Sequence, residues 1–201
     1  MFITFEGGEG TGKSTQARLL VEALNKSGAR AMYTREPGGT PNAETLRELL
    51  LDRGRAWAMD AEVLLHFAAR VEHVVGSIRP ALAGGVAVVC DRFADSTMAY
   101  QGYGLGASTN TIAALTAMLP VKPDLTIILD VPEDVSAQRL AARRQTLDRY
   151  EAMDSSFHVR VRWGFIQIAE ANPDRCILLN AVGNVAAVHG HIWSLVRSRL
   201  P

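Results

Sequence analysis

The apolar run Phe2-Ile3-Thr4-Phe5 leads directly into Gly-Gly-Glu-Gly-Thr-Gly-Lys-Ser, residues 7–14. The second stretch fits G-x-x-x-x-G-K-[ST], and it demands a particular local shape: a buried strand, a glycine-rich loop, and a helix beginning near Lys13. Gly7, Gly8, Gly10 and Gly12 carry no Cβ, so backbone N–H groups can turn inward and approach phosphate oxygens. The helix aims its partial positive end at the same point. Lys13 adds a cation for the β- and γ-phosphates, and the Ser14 hydroxyl is a candidate Mg²⁺ ligand. Such a loop serves switches, motors and transferases alike, so the rest of the chain must decide among them.

Short apolar runs recur at intervals: residues 29–34, 86–90, 125–130 and 176–180. They read as strands buried on both faces, which belong in a parallel sheet covered by helices on each side. Helical patterns lie between them. The first starts at Lys13 and stops at Gly28, and a second carries Leu46, Leu49 and Leu50. A long helix runs from Met59 to about Leu82 with Asp60 as its N-cap. Three more cover the stretch after Pro132, residues 155–171 and residues 185–200. The alternation predicts an α/β three-layer fold, a five-stranded parallel sheet flanked by helices, with residues 1–201 as one domain.

Composition excludes several classes. The chain has 48% hydrophobic and 21% charged residues, ordinary globular values that argue against long disorder. Its 21 basic and 21 acidic residues cancel, so no bulk field recruits nucleic acid or an anionic membrane. Cys90 and Cys176 show neither zinc spacing nor a disulfide framework and read as buried thiols. No basic leader precedes the first strand, and no run of about 18 apolar residues could span a bilayer. A cytoplasmic protein is expected.

The strand over 86–90 ends in Asp91-Arg92. Ligands of doubly wound sheets sit beyond the carboxyl ends of the strands, so Asp91 is placed to hold Mg²⁺ and Arg92 to clamp a phosphate bidentately. A guanine-reading N-K-x-D motif is missing: the Asn25-Lys26 pair continues as Ser27-Gly28 inside the first helix. The length suits a compact enzyme with a lid better than an oligomeric motor. The lid candidate is residues 139–151, where Arg139, Arg143, Arg144 and Arg149 cluster. Arginines there would neutralise a migrating phosphoryl group while closure excludes water.

In series, FEGGEGTGKST, TREPGGT, LLHFAARVEHV, CDRFADSTMAYQGYG and LDRYE resemble the bacterial thymidylate kinases, from the N-terminus through about Arg162. The resemblance implies the P-loop NTPase fold and transfer of the ATP γ-phosphoryl to dTMP, with Mg²⁺ as cofactor and a homodimer as the assembly. It implies an ATP site of Gly7, Gly8, Glu9, Gly10, Thr11, Gly12, Lys13, Ser14 and Thr15, with Arg139. It implies a dTMP site of Glu9, Arg35, Glu36, Pro37, Phe67, Arg70, Arg92, Ser96, Thr97, Tyr100 and Gln101. In that scheme Phe67 stacks on thymine, Arg70 donates to a ring carbonyl, Thr97 reads the ring N3–H, and Tyr100 disfavours a ribose hydroxyl. Arg92 binds the acceptor phosphate, and Asp148 orients the lid arginines. Gly10 stands where one branch of the family carries its catalytic arginine, so the chain resembles the branch that keeps this group in the lid. Lys13, Arg92, Arg143 and Arg149 are the catalytic set, with the choice of lid arginine left open.

Two features depart from the pattern. His66, beside the expected stacking residue, reads as a helix-surface histidine, and Asn180 ends the last strand where an aspartate is common. A kinase for another nucleoside monophosphate, or for a nucleoside with Glu36 or Asp91 as base, is the alternative.

Overall fold

A computed structural model describes residues 1–142 and 148–200. Five strands, β1 (Phe2–Glu6), β2 (Ala31–Arg35), β3 (Ala87–Asp91), β4 (Leu125–Asp130) and β5 (Cys176–Asn180), pair in the order β2-β3-β1-β4-β5. Every pairing is parallel. The expected strands at 29–34 and 86–90 thus appear one or two residues later. The register sets Phe5 opposite Asp91, and Arg35 opposite Asp91 on the other side. Three strand ends therefore converge where the glycine-rich loop begins.

Alternate side chains of each strand enter different cores, as burial on both faces requires. Ile3, Phe5, Val89, Ile127 and Leu129 pack with Leu20 and Leu24 of α1 (Lys13–Lys26) and with Ile192 and Val196 of α9 (Val185–Arg197). Phe2, Val88 and Cys90 face the opposite layer, against Val63 and Phe67 of α3 (Met59–His73) and Ile112 of α6 (Thr109–Ala117). Each fully buried side chain of this kind is worth about 1.5–3 kcal/mol over its exposed state. Gly28 follows the end of α1 with φ 92°, the left-handed conformation glycine adopts without strain.

The expected helix from Met59 to about Leu82 is realised with an internal defect. After α3 the backbone widens into a π turn over Val74–Ile78 and continues as α4 (Arg79–Ala83). Pro80 has no N–H to give the carbonyl one turn back, and the N–H of Arg79 reaches to Val74 O instead. Asp60 is not the cap: Ala58 occupies that position with no side-chain bond, and Asp60 sits in the first turn, where its charge suits the helix dipole.

Between β3 and β4 the chain forms a short helix, α5 (Ala94–Thr97), a second π segment, Met98–Gly104, and α6. The glycines of Tyr100-Gln101-Gly102-Tyr103-Gly104 disguise this region as a turn. Gly104 serves close approach to α8 (Ser155–Ala171), while Gly102 faces Thr109 and Ile112 of α6. A Cβ on Gly104 would lie 2.6 Å from the Phe157 ring, and one on Gly164 of α8 would lie 2.7 Å from the Tyr103 ring. Each element supplies an aromatic ring to the other's glycine, and the seam fixes Tyr100 and Gln101 beside the loop. The remaining helices are α2 (Pro41–Leu51), capped by the Thr40 hydroxyl, and α7 (Glu133–Ala142).

Candidate active site

The glycine-rich loop leaves β1 in a conformation that needs glycine. Gly7 has φ 130°, and a Cβ there would lie 2.3 Å from the Leu129 carbonyl oxygen of β4. Gly10 has φ 68° and a comparable obstruction, Ser136 O of α7 at 2.7 Å. Lys13, buried at the start of α1, donates from Nζ to Gly8 O at 2.6 Å. Burial, reinforced by the charge of Arg92, pushes its pKa down to about 8.

Across the loop, Ser14 Oγ donates to Asp91 Oδ2 at 2.5 Å. Asp91 Oδ1 is buried and finds no hydrogen-bond partner among the described residues. A carboxylate with one oxygen on a serine hydroxyl and the other buried without a donor fits a hard cation such as Mg²⁺. Arg92 follows with φ 72°, a left-handed conformation that costs a non-glycine residue about 1–3 kcal/mol. Its guanidinium donates to Gly7 O at 3.2 Å, Ser96 Oγ at 3.3 Å, Glu9 Oε1 at 2.5 Å and Tyr100 Oη at 3.0 Å. Burial opposes this charge, but Glu9, Tyr100 and Asp91 outweigh it and hold the Arg92 pKa above its ordinary value.

Beneath these groups α3 carries a polar stripe. Glu62, His66, Arg70 and His73 are all buried, at spacings of four, four and three residues that put them on one helix face. Arg70 Nε donates to Glu36 Oε2 at 2.7 Å, and its Nη2 donates to Phe93 O at 3.0 Å and Thr97 Oγ1 at 3.1 Å. Its Nη1 is buried without a partner among the described residues. Glu36 Oε1 is 3.0 Å from His73 Nδ1, and His73 Nε2 is 2.6 Å from Thr34 Oγ1.

These groups enclose a cavity of about 200 Å³. Of the sequence-selected residues, Glu9, Gly12, Lys13, Ser14, Arg35, Glu36, Pro37, Arg70, Asp91, Arg92, Ser96, Thr97, Tyr100 and Gln101 line it. Gly7, Gly8, Gly10, Thr11 and Thr15 lie in the adjoining loop and first turn of α1. Arg139 approaches the other side of the loop: its Nη1 is 3.4 Å from Gly10 O and Thr11 O, and its Nη2 is 3.0 Å from Ala181 O.

Phe67 is not brought to the cavity. It packs in the core against Val63 and Val74 and borders a groove on the outer side with Leu46, Leu64 and Val71. One residue along a helix rotates the side chain by roughly 100°, and the residue on the inner face is His66. The surface reading of His66 is therefore corrected: it is buried, lines the cavity, and its Nε2 is 3.0 Å from Tyr150 Oη. Burial and then Arg70 push its pKa down to about 3, so the ring is neutral.

Of the arginine-rich segment, Arg143 and Arg144 lie outside the described residues. Arg149 does not border the cavity: its Nη2 pairs with Glu62 Oε2 at 2.7 Å. Asp148 Oδ1 accepts from the backbone N–H groups of Tyr150 and Glu151, both at 2.9 Å, which makes it the organiser of a turn over 148–151. Asn180 does similar work after β5, accepting from Val182 N at 2.9 Å.

Sequence reading missed Glu6, Arg47, Glu62 and Tyr150. Arg47 and Tyr150 line the cavity. Glu6, at the end of β1, accepts from Phe93 N at 2.7 Å and Ser96 Oγ at 2.5 Å, and burial followed by Asp95 pushes its carboxyl well above the usual carboxylate range. Polar residues recurring every three or four positions in an otherwise apolar α3 were the signal for Glu62 and His66.

The family model for thymidylate kinase matches residues 5–192. The thymidylate kinase of Synechococcus sp. (strain JA-2-3B'a(2-13)) is 49% identical over 203 aligned positions, covering 100% of this chain and 96% of that protein. That of Nitrobacter winogradskyi is 47% identical and covers 98% and 88%. Among solved structures, the thymidylate kinase of Ehrlichia chaffeensis superposes with a TM-score of 0.79 at 38% identity, covering 98% of each chain.

The buried ion pair of Arg70 and Glu36 gives a direct test of this geometry. Glu36→Ala leaves the Arg70 charge buried with its carboxylate gone, and we expect a loss of about 3–5 kcal/mol in urea unfolding. A loss below about 1 kcal/mol would show that the pair is not closed in solution.

Proposed function

Because the chain belongs to the thymidylate kinase family, we propose that its cavity is the dTMP site and its glycine-rich loop the ATP site. The enzyme transfers the γ-phosphoryl of ATP to dTMP, giving dTDP and ADP. The observation that carries the assignment of sites is the placement of Lys13 and Arg92 on the border of one cavity, one in the loop and the other at the end of β3.

In this reading Arg92 takes the acceptor phosphate, with Arg35 and Arg47 adding charge to the same wall. Glu9 and Tyr100 hold the Arg92 guanidinium ready, so little reorganisation is left for the reaction itself. Arg70 offers its unpartnered Nη1 to a carbonyl of the base, and Thr97 lies beside it. His66, rather than Phe67, presents the ring on the cavity side. The acceptor phosphate is already anionic at neutral pH, so no general base is required. Glu36 supports this: both its oxygens are engaged, by Arg70 and His73, which disfavours a nucleoside kinase using it as base.

Lys13 and the loop amides hold the donor, and Arg139 lies on the nucleotide side with Thr11 and Gly10. Ser14 and Asp91 would hold Mg²⁺. The ion would supply charge neutralisation for the transferred phosphoryl group. Residues 139–151 serve as the lid, and the arginine for the migrating group is Arg143 or Arg144, both outside the described residues.

A homodimer is proposed through α3. Leu64 and Val71 project from its outer side at 56% and 47% exposure, in the groove formed with Leu46, and Val75 of the following π segment is 54% exposed. Contiguous apolar surface of this kind marks an association site. No helix among the described residues is long and apolar enough to cross a membrane, and a cytoplasmic location accords with that and with two unpaired, buried cysteines.

Steady-state ADP release with dTMP, dUMP, dCMP, dGMP and AMP tests the acceptor assignment. Turnover with dTMP is expected to exceed the others by at least about tenfold, the value of the one methyl group that dUMP lacks; equal turnover would reject the base-pocket assignment. Lys13 gives a second test. With a pKa of about 8 in the free enzyme, it is half protonated at pH 8, and an adjacent triphosphate favours the charged form. Mg-ATP binding should therefore take up roughly half a proton at pH 8, measured by calorimetry in buffers of different ionisation enthalpy, and affinity should fall as pH rises above 8. No uptake would show that Lys13 is already fully charged before Mg-ATP binds, which would refute the lowered pKa. For the dimer, Val71→Arg should convert the wild-type particle to a monomer in light scattering, and a monomeric wild type would refute the interface.

A further inference from the structure

Glu62 is 2% exposed on α3, and its carboxylate touches neither the glycine-rich loop nor Arg92. Its Oε1 accepts from Tyr150 Oη at 2.8 Å and from Gln101 Nε2 at 3.1 Å. Its Oε2 accepts from Arg149 Nη2 at 2.7 Å. Gln101 Nε2 also reaches Tyr150 Oη at 3.1 Å, and Tyr150 Oη lies 3.0 Å from His66 Nε2. One buried carboxylate thus gathers the turn over 148–151, the π segment after β3, and the polar stripe of α3.

A buried charge is retained only where its partners are in place, and removal of one strands the other. The buried charge here is Glu62, and Arg149 is its partner. Its Nη2 is committed to Glu62, its Nη1 is buried with no partner among the described residues, and it does not line the cavity. Its neighbour Tyr150 does line the cavity, with the ring edge-on to Tyr100 at 5.7 Å between centroids. The turn itself is built by Asp148 from backbone contacts, so its internal shape does not depend on Glu62, whereas its attachment to α3 does.

We propose that Glu62 is a positioning residue for the acceptor pocket: its charge, neutralised by Arg149, pins the 148–151 turn so that Tyr150, Gln101 and His66 form one wall. Arg149 is then an anchor, not the arginine that meets the migrating phosphoryl group. The inference rests on the reading of this cavity as the dTMP site.

The test is a double-mutant cycle of Glu62→Gln and Arg149→Gln, with Tyr150→Phe as a third variant that keeps the ion pair. Wild-type turnover with dTMP is the control; its absence would indict the functional reading and leave the anchor to be judged by exchange alone. Each single substitution in the pair is expected to raise KM for dTMP about tenfold, equivalent to about 1.4 kcal/mol. KM for Mg-ATP should stay unchanged, kcat should fall less than threefold, and the double variant should be no worse than either single one. Tyr150→Phe should raise KM for dTMP in the same direction and leave kcat intact. Amide hydrogen exchange over 148–151, read on the apo protein, should accelerate at least tenfold in Glu62→Gln and remain near wild type in Tyr150→Phe. A loss of 10³-fold or more in kcat for Arg149→Gln would overturn the proposal by making Arg149 a transition-state group. Unchanged exchange and unchanged KM in Glu62→Gln would overturn it by showing that the carboxylate positions nothing. If Glu62→Gln fails to fold, Tyr150→Phe decides through KM for dTMP, a wild-type value refuting the shared wall.

Discussion

The parallel pairing of β1 with β3 is the constraint on which the rest of the molecule depends. More than eighty residues separate Phe5 from Asp91 in sequence, yet the ladder sets them side by side. From that register the loop leaving β1 and the Asp91-Arg92 step ending β3 must meet. Ser14 then reaches Asp91, and Arg92 reaches both Gly7 and Glu9. A slip of one residue would turn Val88 and Val89 toward the wrong cores and send Asp91 to the wrong face. The hydrophobic alternation that fills the two cores and the geometry of the phosphate site are therefore one specification.

Around this meeting point three guanidinium groups each have a designated carboxylate: Arg70 with Glu36, both buried, and the partly exposed Arg92 and Arg149 with Glu9 and Glu62. Dry ion pairs contribute little net stability, because desolvation offsets their attraction. What they provide is fixed direction. Arg70 and Arg92 are held by several hydrogen bonds apiece, so groups that face an anionic or carbonyl-bearing ligand are aimed before it arrives. The left-handed backbone of Arg92 belongs to the same arrangement. That strain persists because its N–H bonds to Phe5 O and its side chain is tied at four points.

The elements that frame the site were readable because their physical requirements are local. A glycine-rich loop between a buried strand and a helix needs only its own residues, and the Gly28 stop, the apolar strands and the α8 and α9 patterns are equally self-contained. The stretch over residues 94–117 was not readable. Its glycines look like turn formers until Phe157 and Tyr103 are seen packed against Gly104 and Gly164. The choice between His66 and Phe67 failed for a related reason. Both sit on one helix, a single step of rotation apart, and only the packing of α3 on the sheet settles which faces the cavity.

By itself, then, the sequence determined the α/β layering, the phosphate loop and the pairing of Asp91 with Arg92 at a strand end, since periodicity and a contiguous motif carry that information along the chain. The tertiary structure alone decided which polar groups share a carboxylate. Glu62 with Arg149 and Tyr150, Glu36 with Arg70 and His73, and Glu6 with Ser96 are joined across tens of residues. Buried charges choose partners by proximity in a desolvated interior, and proximity is a property of the folded chain.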